Sequence, residues 1–179
     1  MPLQNRVDPF GDLHAVPERG MWMGNRGILH DDEQQVIRWA RGRLWIICRL
    51  SFGGRRRSLM SPGSYTELFF LDEATALAAG HRPCGECRRD DYLRFSRAAV
   101  AGNRLSAGGL DARLDRERRH RSARVVDYGA VTDQPDGTMV DLGGRPALWW
   151  RGTLRPWSFA GYGDPVPVPD HAVPLLTPR

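Results

Sequence analysis

A pair of cysteines separated by two residues constrains this chain more than any other feature of its sequence. Cys84 and Cys87 lie in "AAGHRPCGECRRDD" (78–91), between an alanine-rich segment and a segment with helical periodicity. Two thiols at this spacing can bind a metal ion together, form a redox pair, or pack at the start of a helix with no chemistry of their own. The redox interpretation lacks the strand–helix–strand context that thioredoxin-like motifs require. The other two interpretations stay open.

Three segments around this pair predict helices. The first is "HDDEQQVIRWARG" (30–42), where Asp31 begins a capping-box pattern. The second is "EATALAA" (73–79), which Asp72 is placed to cap. The third, "RDDYLRFSRAAVAG" (89–102), follows the cysteine pair directly and has an apolar stripe at helical spacing.

A β-hairpin is predicted upstream of the cysteine pair. "LWIICRLSF" (44–52) alternates strictly, and this predicts a strand with Cys48 on its apolar face, beside Leu44, Ile46, Leu50 and Phe52. The glycines at 53 and 54 predict the turn, and "RRRSLM" (55–60) the returning strand. A cysteine on an apolar strand face is typical of a core position, so we interpret Cys48 as core and not as a metal ligand.

Changes in composition divide the chain into four parts and indicate an α+β fold. These parts are an N-terminal extended segment with a helix (1–43), a hairpin-and-helices unit (44–102), an arginine-rich connector (103–124) and a β-rich C-terminal portion (125–179). The connector is compatible with a helix that Gly108 and Gly109 interrupt. The proline-rich tail of the last part predicts no regular structure.

The stretch "ELFFLDEATALAAGHRPCGECRRDD" (67–91) resembles the N-terminal metal-binding domain of the bacterial Ada family, which repairs methylphosphotriesters in DNA. The resemblance lies in Phe69 and Phe70, the alanine-rich helix, and a Gly-x-Arg-Pro-Cys-x-x-Cys pattern that ends at Cys87. It extends loosely over residues 44–100. It implies a small β-hairpin-plus-helices unit, a zinc site and contact with DNA.

In the Ada family four cysteines hold one zinc ion, and a thiolate of the first pair accepts the methyl group. Cys84 and Cys87 match the second pair, whereas the place of the first pair, "RRRSLMSPGS" (55–64), contains no cysteine. The resemblance therefore implies zinc with other ligands, and His81 is the local candidate because mixed Cys/His sites are common. The missing pair argues against methyl transfer.

Arginine is the only strong base in this chain. Its 26 basic residues are all arginines, and the formal net charge is +5. A GC-rich coding sequence would also produce this composition, so only local clusters of arginine bear on a partner. Arginine side chains match phosphate groups in geometry. The predicted phosphate contacts are the hairpin arginines Arg55, Arg56 and Arg57, and the arginines around the cysteine pair, Arg82, Arg88 and Arg89.

These patterns predict a nucleic-acid-binding protein with DNA as the partner. They also predict a zinc site that lacks the first cysteine pair of the Ada family. Two alternatives stay open. One is an enzyme acting on nucleic acid, either a thiol alkyl acceptor in DNA repair or a metal-dependent enzyme. The other is a protein-interaction module. No apolar run approaches the roughly 20 residues of a membrane span, so we expect a cytoplasmic protein with no membrane partner.

Overall fold

A computed structural model of the chain describes residues 1–54, 58–99, 105–120, 123–124 and 127–178. Helices and two six-stranded sheets are both present, which confirms the predicted α+β class. Within these ranges no helix is long and apolar enough to cross a lipid bilayer.

The first sheet is built from the N-terminal half of the chain. Its strands are β1 (Arg6–Val7), β2 (Leu13–His14), β3 (Trp22–Asn25), β4 (Ile46–Cys48), β5 (Leu68–Phe70) and β6 (Arg82–Pro83). They follow the order β2-β1-β5-β3-β4-β6, with β4 and β6 parallel. Segments 1–43 and 44–102 therefore share one sheet.

Three α-helices pack around this sheet: α1 (Glu73–Ala78), α2 (Arg89–Ala99) and α3 (Ala107–Arg118). The carboxylate of Asp72 caps α1 as predicted, because its Oδ1 accepts a hydrogen bond from the Thr75 amide at 2.8 Å. Helix α3 runs through the two glycines that were expected to interrupt it. They lie in its first turn, while Leu110 and Leu114 pack against Tyr92 of α2, and this burial outweighs the low helix propensity of glycine.

The C-terminal half forms the second sheet, as its β-rich sequence predicts. A two-stranded ribbon of β7 (Arg119–His120) and β8 (Ala123–Arg124) comes first. The sheet strands are β9 (Asp127–Gly129), β10 (Met139–Asp141), β11 (Pro146–Trp150), β12 (Thr153–Ser158), β13 (Gly161–Tyr162) and β14 (Val173–Leu175), and a 3-10 helix spans Val131–Asp133. The tail was expected to be irregular, yet β14 pairs with both β9 and β10. Burial of Val173 and Leu175 in the core of this sheet explains the difference.

The two halves contact each other through α1. The indole of Trp157 donates to Thr75 Oγ1 at 2.9 Å, and the Tyr162 hydroxyl donates to Asp72 Oδ2 at 2.6 Å. Ala78 packs in one apolar cluster with Met139 and other residues of the second half.

The helix predicted over 30–42 is absent from the structure, and residues 30–36 form a tight loop instead. His30 and Val36 form an antiparallel bridge, and Gln34 has a φ of +63°. The carboxylate of Asp31 accepts hydrogen bonds from the amides of Gln35 at 2.8 Å and Glu33 at 3.1 Å. The Asp31 carboxylate therefore accepts hydrogen bonds from backbone amides in a turn. This turn competes with the helix that Asp31 was expected to cap.

The predicted strand 44–52 shortens to β4, and its faces are reversed. The side chains of Trp45 and Ile47 are buried in the core, whereas Leu44, Leu50 and Phe52 are exposed. Residues 55–57 lie outside the described part of the chain, and residues 58–60 lead into a turn where the returning strand 55–60 was predicted. Trp45 and Ile47 make the opposite face apolar as well over the length of β4, so the alternation could not tell which face is buried.

Candidate metal centre

The pairing of β4 with β6 brings a third cysteine to the Cys-x-x-Cys motif. The two strands lie parallel with Ile47 opposite Pro83, so Cys48 and Cys84 follow as the next residues on each strand. The Cys84 amide donates to the Ile47 carbonyl at 2.9 Å and fixes this register. The chain then turns through Cys87 into α2.

The three thiols form one compact group, which we call the thiol centre. The Sγ atoms of Cys48, Cys84 and Cys87 all lie within 4.8 Å of one another. All three cysteines are free and buried. Three thiolates at such separations could hold a metal ion.

The protons of the thiol centre are distributed unequally. The pKa of Cys84 is lowered to about 5, chiefly because it accepts a hydrogen bond from the Cys48 thiol. The amide of Glu86 also points at its sulfur, at 3.4 Å. The pKa of Cys48 is raised by the same hydrogen bond, and burial raises the pKa of Cys87. Without metal, these shifts favour the thiolate form at Cys84 and the protonated form at Cys48 and Cys87.

The thiol centre lies at the edge of an open groove with a volume of about 900 Å³. Its walls are mainly apolar and aromatic: Met23, Ile46, Leu50, Phe52, Leu59, Tyr65 and Phe69. Polar residues, among them Arg49 and Glu86, complete the lining. The groove is formed by the face of β4 that carries Ile46 and Cys48, which explains why the apolar residues Leu50 (56% exposed) and Phe52 (38%) face solvent.

His81, the predicted local ligand, does not belong to the thiol centre. Its ring packs against Trp45 and Phe70, with centroid separations of 5.1 and 4.8 Å, and the residue is only 2% exposed. Among the described residues, the group that could hold a metal takes Cys48 as its third member. The prediction of Cys48 as a core residue was correct about its burial but missed the thiols beside it.

Arg82 is a buried structural residue, and this corrects its prediction as a phosphate contact. Its guanidinium donates to both carboxylate oxygens of Asp111, at 2.7 and 2.9 Å, and lies over the ring of Tyr92. A cation that is already paired with a carboxylate and only 3% exposed cannot reach a phosphate group on the surface. The ion pair of Arg82 and Asp111 holds β6 against α3, and β6 leads directly into Cys84.

Arg88 needs the same correction. It is 3% exposed, donates to Glu73 at 2.6 Å and Asp91 at 2.7 Å, and lies over the indole of Trp22 at 4.0 Å. It thereby ties the start of α2 to α1. Arg89 is exposed at the first residue of α2, so its side chain is accessible for the predicted phosphate contact. The predicted contacts Arg55, Arg56 and Arg57 lie outside the described residues.

Comparisons of the chain with protein-family models, with curated proteins and with solved structures find no match. The resemblance to the Ada family therefore rests on the motif residues alone, and it remains a prediction.

Proposed function

We propose that Cys48, Cys84 and Cys87 bind one zinc ion. Thiolates bound to tetrahedral zinc at about 2.3 Å are separated by roughly 3.8 Å, which agrees with three sulfurs that lie within 4.8 Å of one another. Among the metals common in cells, zinc is one that binds thiolate ligands by preference. This three-thiol geometry is the observation that carries the proposal.

The fourth zinc ligand would come from the groove. Among the described residues, the group that could hold the metal has three members, and all three contribute to the groove lining. Zinc sites with three protein ligands hold water or substrate at the fourth position. Such a site differs from the four-cysteine arrangement that the Ada resemblance implies, in which the protein occupies every position.

Elemental analysis of the purified protein tests the zinc proposal. We expect about one equivalent of zinc in the wild type. The double variant Cys84→Ser, Cys87→Ser should lose the metal and unfold at a lower temperature, because metal binding contributes to folding stability. Wild type without metal, and with the same thermal stability as the variant, would mean that the thiols only pack together.

We further propose that the groove binds nucleic acid, DNA in the first place. Arg49 is exposed and lines the groove, and Arg89 is exposed at the start of the helix that follows the thiol centre. Phe52 and Tyr65 present aromatic rings on the same groove, and both are more than one-third exposed. Arginine beside exposed aromatic rings is the combination that holds phosphates while bases stack.

Fluorescence anisotropy with single-stranded and duplex oligonucleotides over a salt series tests this interface. The variant Arg49→Ala, Arg89→Ala should weaken binding to all sequences and flatten the duplex salt slope by up to about two units, near 0.9 per lost contact. The matched control is Arg145→Ala, Arg151→Ala, which removes two exposed arginines from turns of the second sheet. Equal binding by the wild type and both variants would exclude the groove as the nucleic-acid-binding site. No binding at low salt would favour the protein-interaction module.

A second candidate function is that of a thiol alkyl acceptor, favoured by the lowered pKa of Cys84 beside an open groove. The thiolate sulfur would attack the methyl carbon of a DNA phosphotriester. An S–C bond would form as the C–O bond breaks, and a phosphodiester anion would leave. Mass spectrometry after incubation with methylated DNA distinguishes the candidates. One stable methyl group on a cysteine would establish the acceptor, and its absence would leave a binding protein.

A further inference from the structure

The groove beside the thiol centre carries an amide side chain on its floor. Asn25, the last residue of β3, lines the groove together with Met23, two positions before it on the same strand. Ile46 lies opposite Asn25 on β4 and lines the groove as well. Residues two positions apart on a strand share a face of the sheet, so Asn25 extends into the groove from between apolar neighbours.

The Asn25 amide is open to a ligand. Within the described part of the chain, neither its Oδ1 nor its Nδ2 atom makes a hydrogen bond, and neither atom is sealed from solvent. An amide offers an acceptor oxygen beside two N–H donors. It therefore complements a ligand edge on which a donor lies next to an acceptor.

Tyr65 is held beside the same end of β3. The Thr66 amide donates to the Gly27 carbonyl at 3.0 Å, and this bond joins the residue after Tyr65 to the residue two positions after Asn25. Tyr65 is 36% exposed and lines the groove. A planar ligand that stacks on the Tyr65 ring can therefore present its edge to the Asn25 amide.

Adenine matches this pair of side chains best among the nucleobases. Asparagine forms two hydrogen bonds with adenine, one to the N6 amino group and one to the ring nitrogen N7. The amino group also lies beside the acceptor N1, so adenine presents this pattern on both of its edges. Guanine has two acceptors, O6 and N7, on its outer edge, and the pyrimidines have only one ring for stacking.

We propose that the groove binds one unpaired adenine of a nucleic acid, stacked on Tyr65 and hydrogen-bonded to Asn25. The inference rests on the proposed function of the groove as a nucleic-acid interface, and it adds a base preference to that function. Arg49, on the same groove, would contact the phosphate backbone. Phosphate contacts carry no sequence information, so the preference depends on Asn25. The base must be unpaired, because a base within a duplex is stacked between its neighbours.

Fluorescence anisotropy with short deoxythymidine oligonucleotides that carry one central substitution tests the preference. The zinc-loaded wild type should bind the oligonucleotide with one adenine about fivefold to 150-fold more tightly than the unsubstituted one, since a bidentate base contact contributes about 1–3 kcal/mol to discrimination. Unsubstituted purine at the same place has the adenine ring system without the amino group, and it should remove most of this gain.

Three variants separate the amide from the aromatic ring. Asn25→Leu removes the amide at nearly constant volume, so it should bind the adenine and thymine oligonucleotides equally. Gln35→Leu is the matched control, because it removes an exposed amide outside the groove lining, and it should keep the preference. Tyr65→Ala should weaken binding of every oligonucleotide about fivefold to 150-fold, since stacking contributes about 1–3 kcal/mol per base. All three variants should keep the zinc content of the wild type.

Four outcomes would count against the proposal, and they differ in what they leave standing. Equal binding of the wild type to the adenine and thymine oligonucleotides would overturn the preference but not the nucleic-acid interface. Retention of the preference in Asn25→Leu would place the adenine elsewhere. Displacement of the oligonucleotide by an equal concentration of adenosine monophosphate would make a free nucleotide the ligand. Absence of binding to every oligonucleotide would refute the interface itself.

Discussion

Cys48 shows at the scale of single residues how neighbours change what a side chain can do. On β4 it occupies a buried position that a small apolar residue would also fill. Its sulfur, however, donates a hydrogen bond that lowers the pKa of Cys84 to about 5. The odd number of cysteines was the one signal that could have identified it, because a Cys-x-x-Cys pair leaves a single thiol without a partner.

His81 gives a pH prediction at this scale. Its pKa in the folded state lies well below the ordinary 6.5, so the unfolded chain binds more protons below about pH 6.5. Stability should therefore be complete above pH 6.5 and should fall as the pH is lowered toward the pKa of the folded state. In His81→Phe this dependence should disappear.

The measurement is urea unfolding of metal-free wild type and His81→Phe between pH 5 and 8. The difference between their unfolding free energies should change by about 1.4 kcal/mol per pH unit below 6.5. Parallel profiles across this range would show that His81 has the same pKa in the folded and the unfolded protein, which would contradict the prediction.

At the scale of elements, the buried pair of Arg82 and Asp111 joins β6 to α3. Asp111→Asn would leave the charge of the buried Arg82 uncompensated. This change should lower the unfolding free energy by roughly 3–5 kcal/mol. Asp115→Asn is the matched control on the same helix, because Asp115 lies 3.6 Å from the exposed Arg43. It should cost less than about 1 kcal/mol. Equal losses from both variants in denaturant unfolding would contradict a structural role for Arg82.

Elements with local signals were the ones that the sequence could predict. Asp72 caps α1 and the apolar stripe of α2 packs as its spacing indicated, because both features depend on neighbours within one or two turns. The residues at 30–42 carried similar signals, but Asp31 uses its carboxylate to close a loop. The length of β4 and the choice of its buried face depend on Phe70 and α1, which are distant in sequence. The pairing of β4 with β6, which creates the thiol centre, is also non-local.

At the scale of the whole molecule, the first sheet separates the thiol centre from the aromatic packing around His81. Ile46 and Cys48 of β4 face the groove, while Ile47 and the preceding residue Trp45 face the core on the side of His81. A conservative substitution of His81 should therefore leave the metal content of the thiol centre unchanged.

X-ray absorption spectroscopy at the zinc edge tests whether Cys48 is the third cysteine ligand of the zinc ion. The wild type should show three sulfur ligands at about 2.3 Å and one lighter ligand at about 2.0–2.2 Å. Cys48→Ser should reduce the sulfur count to two, whereas His81→Phe should leave the spectrum unchanged. Two sulfur ligands and imidazole scattering in the wild type, with the imidazole signal lost in His81→Phe and the sulfur count unchanged in Cys48→Ser, would exclude Cys48 as a ligand.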